Sequence, residues 1–206
     1  ALINDRLGVG ERGVNTLCDF YTREQPVEMN VAMGFEREKA YPWEACMTIG
    51  DYWQYSIRDT QFKSPKELVR ILVDVASRGG NLLLNVGPTP AGVIPEALVE
   101  RLEGMGAWLA ANGEGIYGSD GSPFGPLPAG WCTAKGNRLF IHLSERPDAA
   151  VSLPGLKNAI KSARFLKDGT ALQFDDAAKT VSLPAELPDA LMTTIEVELD
   201  GVPEIG

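Results

Sequence analysis

Histidine and cysteine are scarce in this chain of 206 residues: one of the first, His142, and three of the second. Cys18, Cys46 and Cys132 are widely spaced and odd in number, so they form neither a disulfide framework nor a zinc site and read as buried free thiols. His142 has no partner histidine or cysteine nearby, and reads as a packed or surface imidazole rather than a catalytic one. No stretch approaches the roughly 18 consecutive apolar residues expected of a membrane-spanning helix. Basic residues are also short. Lys and Arg total 19 against 28 Asp and Glu, a net charge of −9, which argues against nucleic acid and anionic membranes as partners. What is present is a hydrophobic content of 44%, ample for a core, in a length that allows one large domain or two small ones.

The most informative stretch runs from Ser64 to Tyr117. Ser64 is a capping residue, Pro65 suits a first helical position, and Glu67 lies where the carboxylate of a capping box belongs. Leu68, Ile71, Leu72 and Val75 recur at the spacing of one helical face, widened by Val69, Val73 and Ala76. Gly79-Gly80 supplies the left-handed residue that ends such a helix. The run Asn81 to Pro88 is short, apolar and unbroken, as in a parallel strand buried on both faces. A second helix is expected from Pro95, with Leu98, Leu102, Met105 and Leu109 on one stripe, ending near Asn112-Gly113. Helix, buried strand and helix make an α/β unit. Asn81 and Asn85, on the strand, read as structural hydrogen-bonding groups, since buried amides need partners.

Ahead of this unit, Ala1 to Arg6 reads as a strand delivering Asn4, Asp5 and Arg6 to a loop. Polar residues at that end of a strand are either chemistry or a capping salt bridge. The strand starts without an initiator Met or a leading turn, so the chain is expected to be a fragment. Gly8 to Gly13 formally fits G-x-G-x-x-G, but no helical stripe follows it and a flexible turn suffices. Asp19-Phe20-Tyr21-Thr22-Arg23-Glu24-Gln25-Pro26 offers a carboxyl group, Glu24, for acid/base work; a solvated loop glutamate is the plainer alternative. Glu11, Glu28, Glu36 and Glu38 are rivals. Tyr41 to Gly50 reads as the next strand and its exit, with Trp43 and Glu44 part of its frame. After it Tyr52, Trp53 and Tyr55 cluster, either as packing or as an apolar face for a sugar ring.

From about Ser119 the texture changes. Gly121 to Pro128 is rich in glycine and proline. Beyond it, strands are expected at 138–143, 163–166, 171–174, 180–183 and 194–200. Thr194 to Asp200 alternates apolar and acidic residues, the pattern of an antiparallel β-sandwich with one wet face.

Three motifs, Ser77 to Pro88, Gly92-Val93-Ile94-Pro95 and Trp108 to Gly118, together resemble the family 29 glycoside hydrolases, the α-L-fucosidases. The resemblance implies the C-terminal portion of a (β/α)8-like TIM barrel over residues 1–120, followed by an antiparallel β-sandwich domain over 121–206. It implies a retaining hydrolase of terminal α-L-fucosyl residues on oligosaccharides or glycoconjugates, with no metal or organic cofactor. Asn4-Asp5-Arg6 is similar to the family motif whose arginine contacts the sugar, so Arg6 inherits substrate binding. The Asp-Phe-x-Thr-x-Glu pattern places the acid/base on Glu24. Trp53 falls at the aromatic position that contacts the fucose methyl, although the family usually has Trp-Gly-Tyr where this chain has Trp53-Gln54-Tyr55. Ala91 replaces the aspartate of a turn common in relatives. The family's nucleophile aspartate and fucose-binding histidines lie upstream of the motifs found here, and Asp5, Asp19 and Asp51 do not stand in the nucleophile motif. The isolated chain is therefore expected to have little or no activity. The competing expectation is a non-catalytic truncated barrel or β-sandwich that binds carbohydrate, self-associates, or pairs with a missing N-terminal barrel portion.

Overall fold

The computed structural model describes residues 2–7, 18–24, 42–125 and 127–206. The chain divides into two compact units, 1–104 and 105–206.

The first unit is built on three parallel strands, β1 (Tyr21–Glu24), β2 (Trp43–Thr48) and β3 (Gly80–Asn85), side by side in chain order. Asn4 bridges Phe20, also in parallel, so the first segment lies alongside β1. Helix α1 (Pro65–Ser77) connects β2 to β3, and helix α2 (Glu96–Asn112) follows β3. The expected capping box opens α1: the Ser64 hydroxyl accepts from Glu67 N–H, and the Glu67 carboxylate accepts from Ser64 N–H. These bonds hold the Glu67 carboxyl below its usual range, the Ser64 backbone bond being the largest cause. Gly79 ends α1 at φ 74°, in the left-handed region that favours glycine.

Side chains alternate across the strands. One face of the sheet packs against α1 through Trp43, Ala45, Leu82, Ile71 and Val75. The Trp43 indole donates to Arg78 O at 3.2 Å and lies so close to Gly80 that a Cβ there would sit 2.4 Å from the ring. The expectation that β3 is buried on both faces is corrected by the structure. Asn81 is exposed and Leu83 is 49% exposed. The helix covers only the face that carries Leu82, and these two residues point the other way.

The second unit contains two antiparallel sheets. The larger holds β4 (Trp131–Lys135), β5 (Arg138–Leu143), β7 (Ile160–Phe165) and β10 (Thr193–Leu199) in the order β4-β5-β10-β7. The smaller holds β6 (Val151–Ser152), β8 (Phe174–Asp175) and β9 (Thr180–Val181) in the order β6-β9-β8. Leu139, Ile141, Ile195 and Val197 of the first share a core with Val151 and Val181 of the second. The stretch 171–174, expected as a strand, gives only a bridge from Ala171 to Arg164 and the first residue of β8.

The expected wet face on β10 is also corrected. Thr194 and Glu196, which should face solvent, are buried, and only Glu198 is exposed. That face of the sheet is covered by the end of α2 and the turn after it. Trp108 lies tilted against His142 with ring centroids 6.4 Å apart and donates to Met192 O at 2.7 Å, while Thr133 donates to Gly115 O. Glu196 is paired beneath the sheet's rim, where Arg164 meets it at 2.7 Å and Arg138 at 3.9 Å.

His142 is packed, wholly buried between Thr133 and Thr194, each hydroxyl 3.1 Å from a ring nitrogen. Since Thr133 spends its proton on Gly115 O, it accepts from Nε2–H of His142, and Nδ1 accepts from Thr194. Burial lowers the imidazole pKa from 6.5 to about 3. The unfolded chain therefore takes up a proton near pH 6.5 that the folded chain refuses until near pH 3. This contribution to stability is full above pH 6.5 and is lost as pH falls, with a slope of up to about 1.4 kcal/mol per pH unit. Urea unfolding followed by tryptophan fluorescence between about pH 7 and 4.5 should show a steeper loss for the native chain than for His142→Gln; parallel pH profiles would refute this account.

Candidate active site

Parallel pairing in register aligns Thr22 with Glu44, Glu24 with Cys46, and Thr48 with Asn85. These residues therefore share the face opposite α1, and that face is polar where the helix-covered face is apolar. Glu24, Thr48 and Asn85 are the last residues of their strands and mark its carboxyl edge.

Arg6 reaches β1 because Asp5–Leu7 forms a single 3-10 turn directly after the Asn4 bridge. The Asn4 side chain accepts from Arg6 N–H at 3.1 Å, tightening that turn. Asp5 is 3% exposed, and its Oδ1 accepts from both Thr22 N–H at 2.9 Å and the Thr22 hydroxyl at 2.7 Å. The same Thr22 oxygen accepts from Arg6 Nε at 2.8 Å. A buried carboxylate thus orients a hydroxyl, and the hydroxyl orients a guanidinium. The free end of that guanidinium, Nη1, comes to 3.8 Å from Glu24 Oε2. Both side chains remain about a third exposed, at 31% and 33%. A pair so open to water contributes about 0–1 kcal/mol to stability. Its consequence is positional: a carboxyl group and a fixed cation face solvent side by side.

Cys46 lies opposite Glu24 on the next strand. Burial pushes its thiol pKa up, and Glu44 and Glu24 add to the rise against an opposing pull from Arg6. It stays a neutral thiol at neutral pH and is a poor nucleophile. Among the described residues, no group of three His, Cys, Asp or Glu side chains is placed to hold a metal ion.

Trp53 is not part of the Arg6–Glu24 pair. It sits in the loop leaving β2, at the same carboxyl edge of the sheet, and its carbonyl accepts from Asn85 Nδ2 at 2.6 Å. The Thr48 hydroxyl donates to the neighbouring Tyr52 carbonyl at 3.1 Å. Gly87 allows the loop to approach the exit of β3: a Cβ there would lie 2.6 Å from Tyr55 N. Gln54 is not among the residues with positive φ, so its L side chain stands there without backbone strain. Tyr52 and Tyr55 are 43% and 41% exposed, open to a ligand rather than packed in a core.

Of the rival carboxylates, Glu11, Glu28, Glu36 and Glu38 lie outside the described residues, as does the Gly8 to Gly13 stretch. Sequence reasoning did not pick out Thr22 or Thr48. Both are small hydroxyl residues at alternate positions of strands, one beside a charged cluster and one at a strand end, which is where such a group finds an orienting role.

This is an α/β unit with polar and aromatic side chains collected at the carboxyl ends of parallel strands, where folds of that kind hold their ligands. The model of the alpha-L-fucosidase family matches residues 1–114. The plasma alpha-L-fucosidase of Rattus norvegicus is 48% identical over 81 residues, 37% of this chain and 17% of that protein. The tissue alpha-L-fucosidase of Homo sapiens is 37% identical over 165 residues, 73% of this chain and 35% of that protein. Among solved structures, alpha-L-fucosidase isoenzyme 1 from Paenibacillus thiaminolyticus superposes with a TM-score of 0.85 at 36% identity, over 97% of this chain and 50% of that one. The chain belongs to the alpha-L-fucosidase family of glycoside hydrolases. It spans half the length of that bacterial relative, and its aligned parts cover about a third or less of the two mammalian ones.

The relay makes a specific demand on Thr22. Thr22→Val keeps the shape but removes the hydroxyl shared by Asp5 and Arg6, leaving the buried carboxylate one donor short. A loss of about 1–3 kcal/mol in local stability is expected, read as faster hydrogen exchange over Tyr21–Glu24. Unchanged protection there would mean that the hydroxyl holds nothing in place.

Proposed function

We propose that this chain is the acid/base-bearing C-terminal part of a retaining α-L-fucosidase acting on fucosylated oligosaccharides or glycoconjugates. The observation that carries the reading is the placement of Arg6 3.8 Å from Glu24 at the carboxyl edge of a parallel sheet. In this reading residues 1–120 are the last portion of a (β/α)8 barrel and 121–206 a β-sandwich domain. Support comes from the sequential parallel order of β1, β2 and β3 with a helix between β2 and β3, and from the two antiparallel sheets that follow.

Retention at a glycosidic carbon needs two carboxyl groups about 5–5.5 Å apart. Glu24 is the acid that protonates the departing glycosidic oxygen. An aspartate from an earlier strand, outside this sequence, attacks the anomeric carbon and forms a fucosyl ester. Glu24, now a carboxylate, takes a proton from water, which attacks the ester and releases fucose. Arg6 holds the sugar, and Trp53 meets its methyl group. Asp5 is not the nucleophile here, because its Oδ1 is buried and committed to Thr22. The chain by itself has half of the reaction and turns over little or no substrate.

Two measurements test this. The 206-residue chain should not hydrolyse an aryl α-L-fucoside at family-like rates; such turnover, abolished by Glu24→Gln, would overturn the split-site reading. In the intact protein that carries this chain, Glu24→Gln should lower turnover of fucosides with poor leaving groups by about 100- to 10,000-fold. Azide should then restore turnover of an activated aryl fucoside, since that small anion attacks the ester without general-base help. If Glu24→Gln loses activity on all leaving groups alike and azide restores nothing, Glu24 is not the acid/base.

One observation favours a second reading, a non-catalytic module that self-associates. Among the described residues, strand β3 has a partner on one side only, and its own Leu83 is half exposed. An open edge with apolar surface invites pairing with another chain. Size-exclusion chromatography decides: oligomers of the isolated chain support self-association, and a stable monomer counts against it.

A further inference from the structure

The loop carrying Trp53 leaves the sheet between two exposed tyrosines, yet its backbone is pinned at two successive carbonyls. Asn85 Nδ2 donates to Trp53 O at 2.6 Å and to the Thr48 hydroxyl at 3.3 Å. The Thr48 hydroxyl has one proton, and it goes to Tyr52 O at 3.1 Å. One amide group therefore fixes one carbonyl directly and the other through an oriented hydroxyl. The surroundings are rigid. Thr48 is buried, Ile49 N–H reaches Asn85 O at 3.4 Å, and Lys63 closes the far side of the loop by donating from its backbone to Ile49 O and from Nζ to Thr48 O, each at 3.0 Å.

Asn85 is too far from the proton donor to act on the reaction itself. Glu24 pairs with Cys46, two residues before Thr48, which pairs with Asn85. Two strand spacings across and two residues along put the two Cα atoms about 12 Å apart. Whatever Asn85 does for the site, it does through the Trp53 loop.

We infer that Asn85, with Thr48, is the positioning residue for substrate choice: it seats the Trp53 ring and so sets how strongly the site prefers a sugar with a methyl at C6 over one with a hydroxymethyl there. This rests on Trp53 as the methyl partner, as proposed above. A methyl group seated on an indole is stabilised by contact, whereas an added hydroxyl must lose water against an apolar face. That preference needs the backbone that carries the ring held in one place, and Asn85 holds it at the Trp53 carbonyl.

The test compares kcat/KM for 4-nitrophenyl α-L-fucoside and 4-nitrophenyl α-L-galactoside, which differ only by the hydroxyl on C6, in the intact protein that carries this chain. Trp53→Ala should reduce the fucoside preference by about tenfold or more. Asn85→Asp keeps the side-chain shape but turns a donor into an acceptor facing two oxygens, and should reduce the preference to within about threefold of Trp53→Ala; the double variant should fall no further, because both changes remove one device. Hydrogen exchange over residues 50–63 of the 206-residue chain should quicken in Asn85→Asp while the α1 amides stay protected. Should Asn85→Asp fail to fold, Thr48→Val, similar in shape and lacking only the hydroxyl, is read by the same ratio: a lowered preference supports the inference and an unchanged one overturns it. If Trp53→Ala shifts the preference and the Asn85 and Thr48 variants do not, the inference fails and the reading of Trp53 stands. If Trp53→Ala leaves the preference untouched, the reading of Trp53 fails and the inference with it.

Discussion

The first unit depends on the close approach of the Trp43 indole to the backbone of Gly80. Any side chain at Gly80 would overlap the ring, and the indole N–H is spent on the carbonyl of Arg78, at the end of α1. The contact locks β2 to β3 in one register. Because a slip of one residue sends every side chain of a strand to the other face, that register also decides what the opposite face displays. With Trp43, Ala45 and Met47 turned to the interior, Glu44, Cys46 and Thr48 have to face the other way. An apolar contact on one side of the sheet thus sets the positions of the polar groups on the other.

On that polar face, order is passed outward through hydrogen bonds rather than by packing. The buried carboxylate of Asp5 fixes Thr22, and Thr22 fixes Arg6 beside Glu24. Two strands away, the Asn85 amide fixes Thr48 and the Trp53 carbonyl. In both cases a side chain rooted in the sheet holds a group that has to remain open to solvent. Exposed groups held only by their own loops would be spread over many rotamers, and the ordering entropy would be met anew with each ligand bound. The second unit follows a different logic: His142, Thr133, Thr194 and Glu196 are polar residues closed off between a sheet and a helix end, with each hydrogen-bonding group matched internally.

Much of this was readable beforehand, for reasons that lie in local chemistry. Ser64, Pro65 and Glu67 announce the start of α1 because a helix end has unpaired N–H groups within a few residues' reach. Gly79 announces its end because only a left-handed residue satisfies the last carbonyls. Strand β4 was missed although Gly136-Asn137, with Gly136 at φ 60°, is a hairpin signal lying between Cys132-Thr133-Ala134 and Leu139-Phe140-Ile141. The β10 pattern of alternate apolar and acidic residues marks a strand but not a wet face. Alternation reports that two faces differ, not what covers the second, and here the cover is Trp108 and the turn at Gly115, far earlier in the chain.

The amino-acid sequence alone determined the elements, their caps and turns, and, through its motifs, the family with its candidate residues Arg6, Glu24 and Trp53. All of these rest on interactions within a few residues or on a linear pattern. Only the tertiary structure decided that Arg6 stands beside Glu24, that Asp5 is an anchor for Thr22, that Asn85 holds the Trp53 loop, and that the polar face of β10 is buried. Each of those joins groups from 17 to 84 positions apart. Such contacts exist only once strand register and helix packing have brought distant segments together, and no local pattern encodes them.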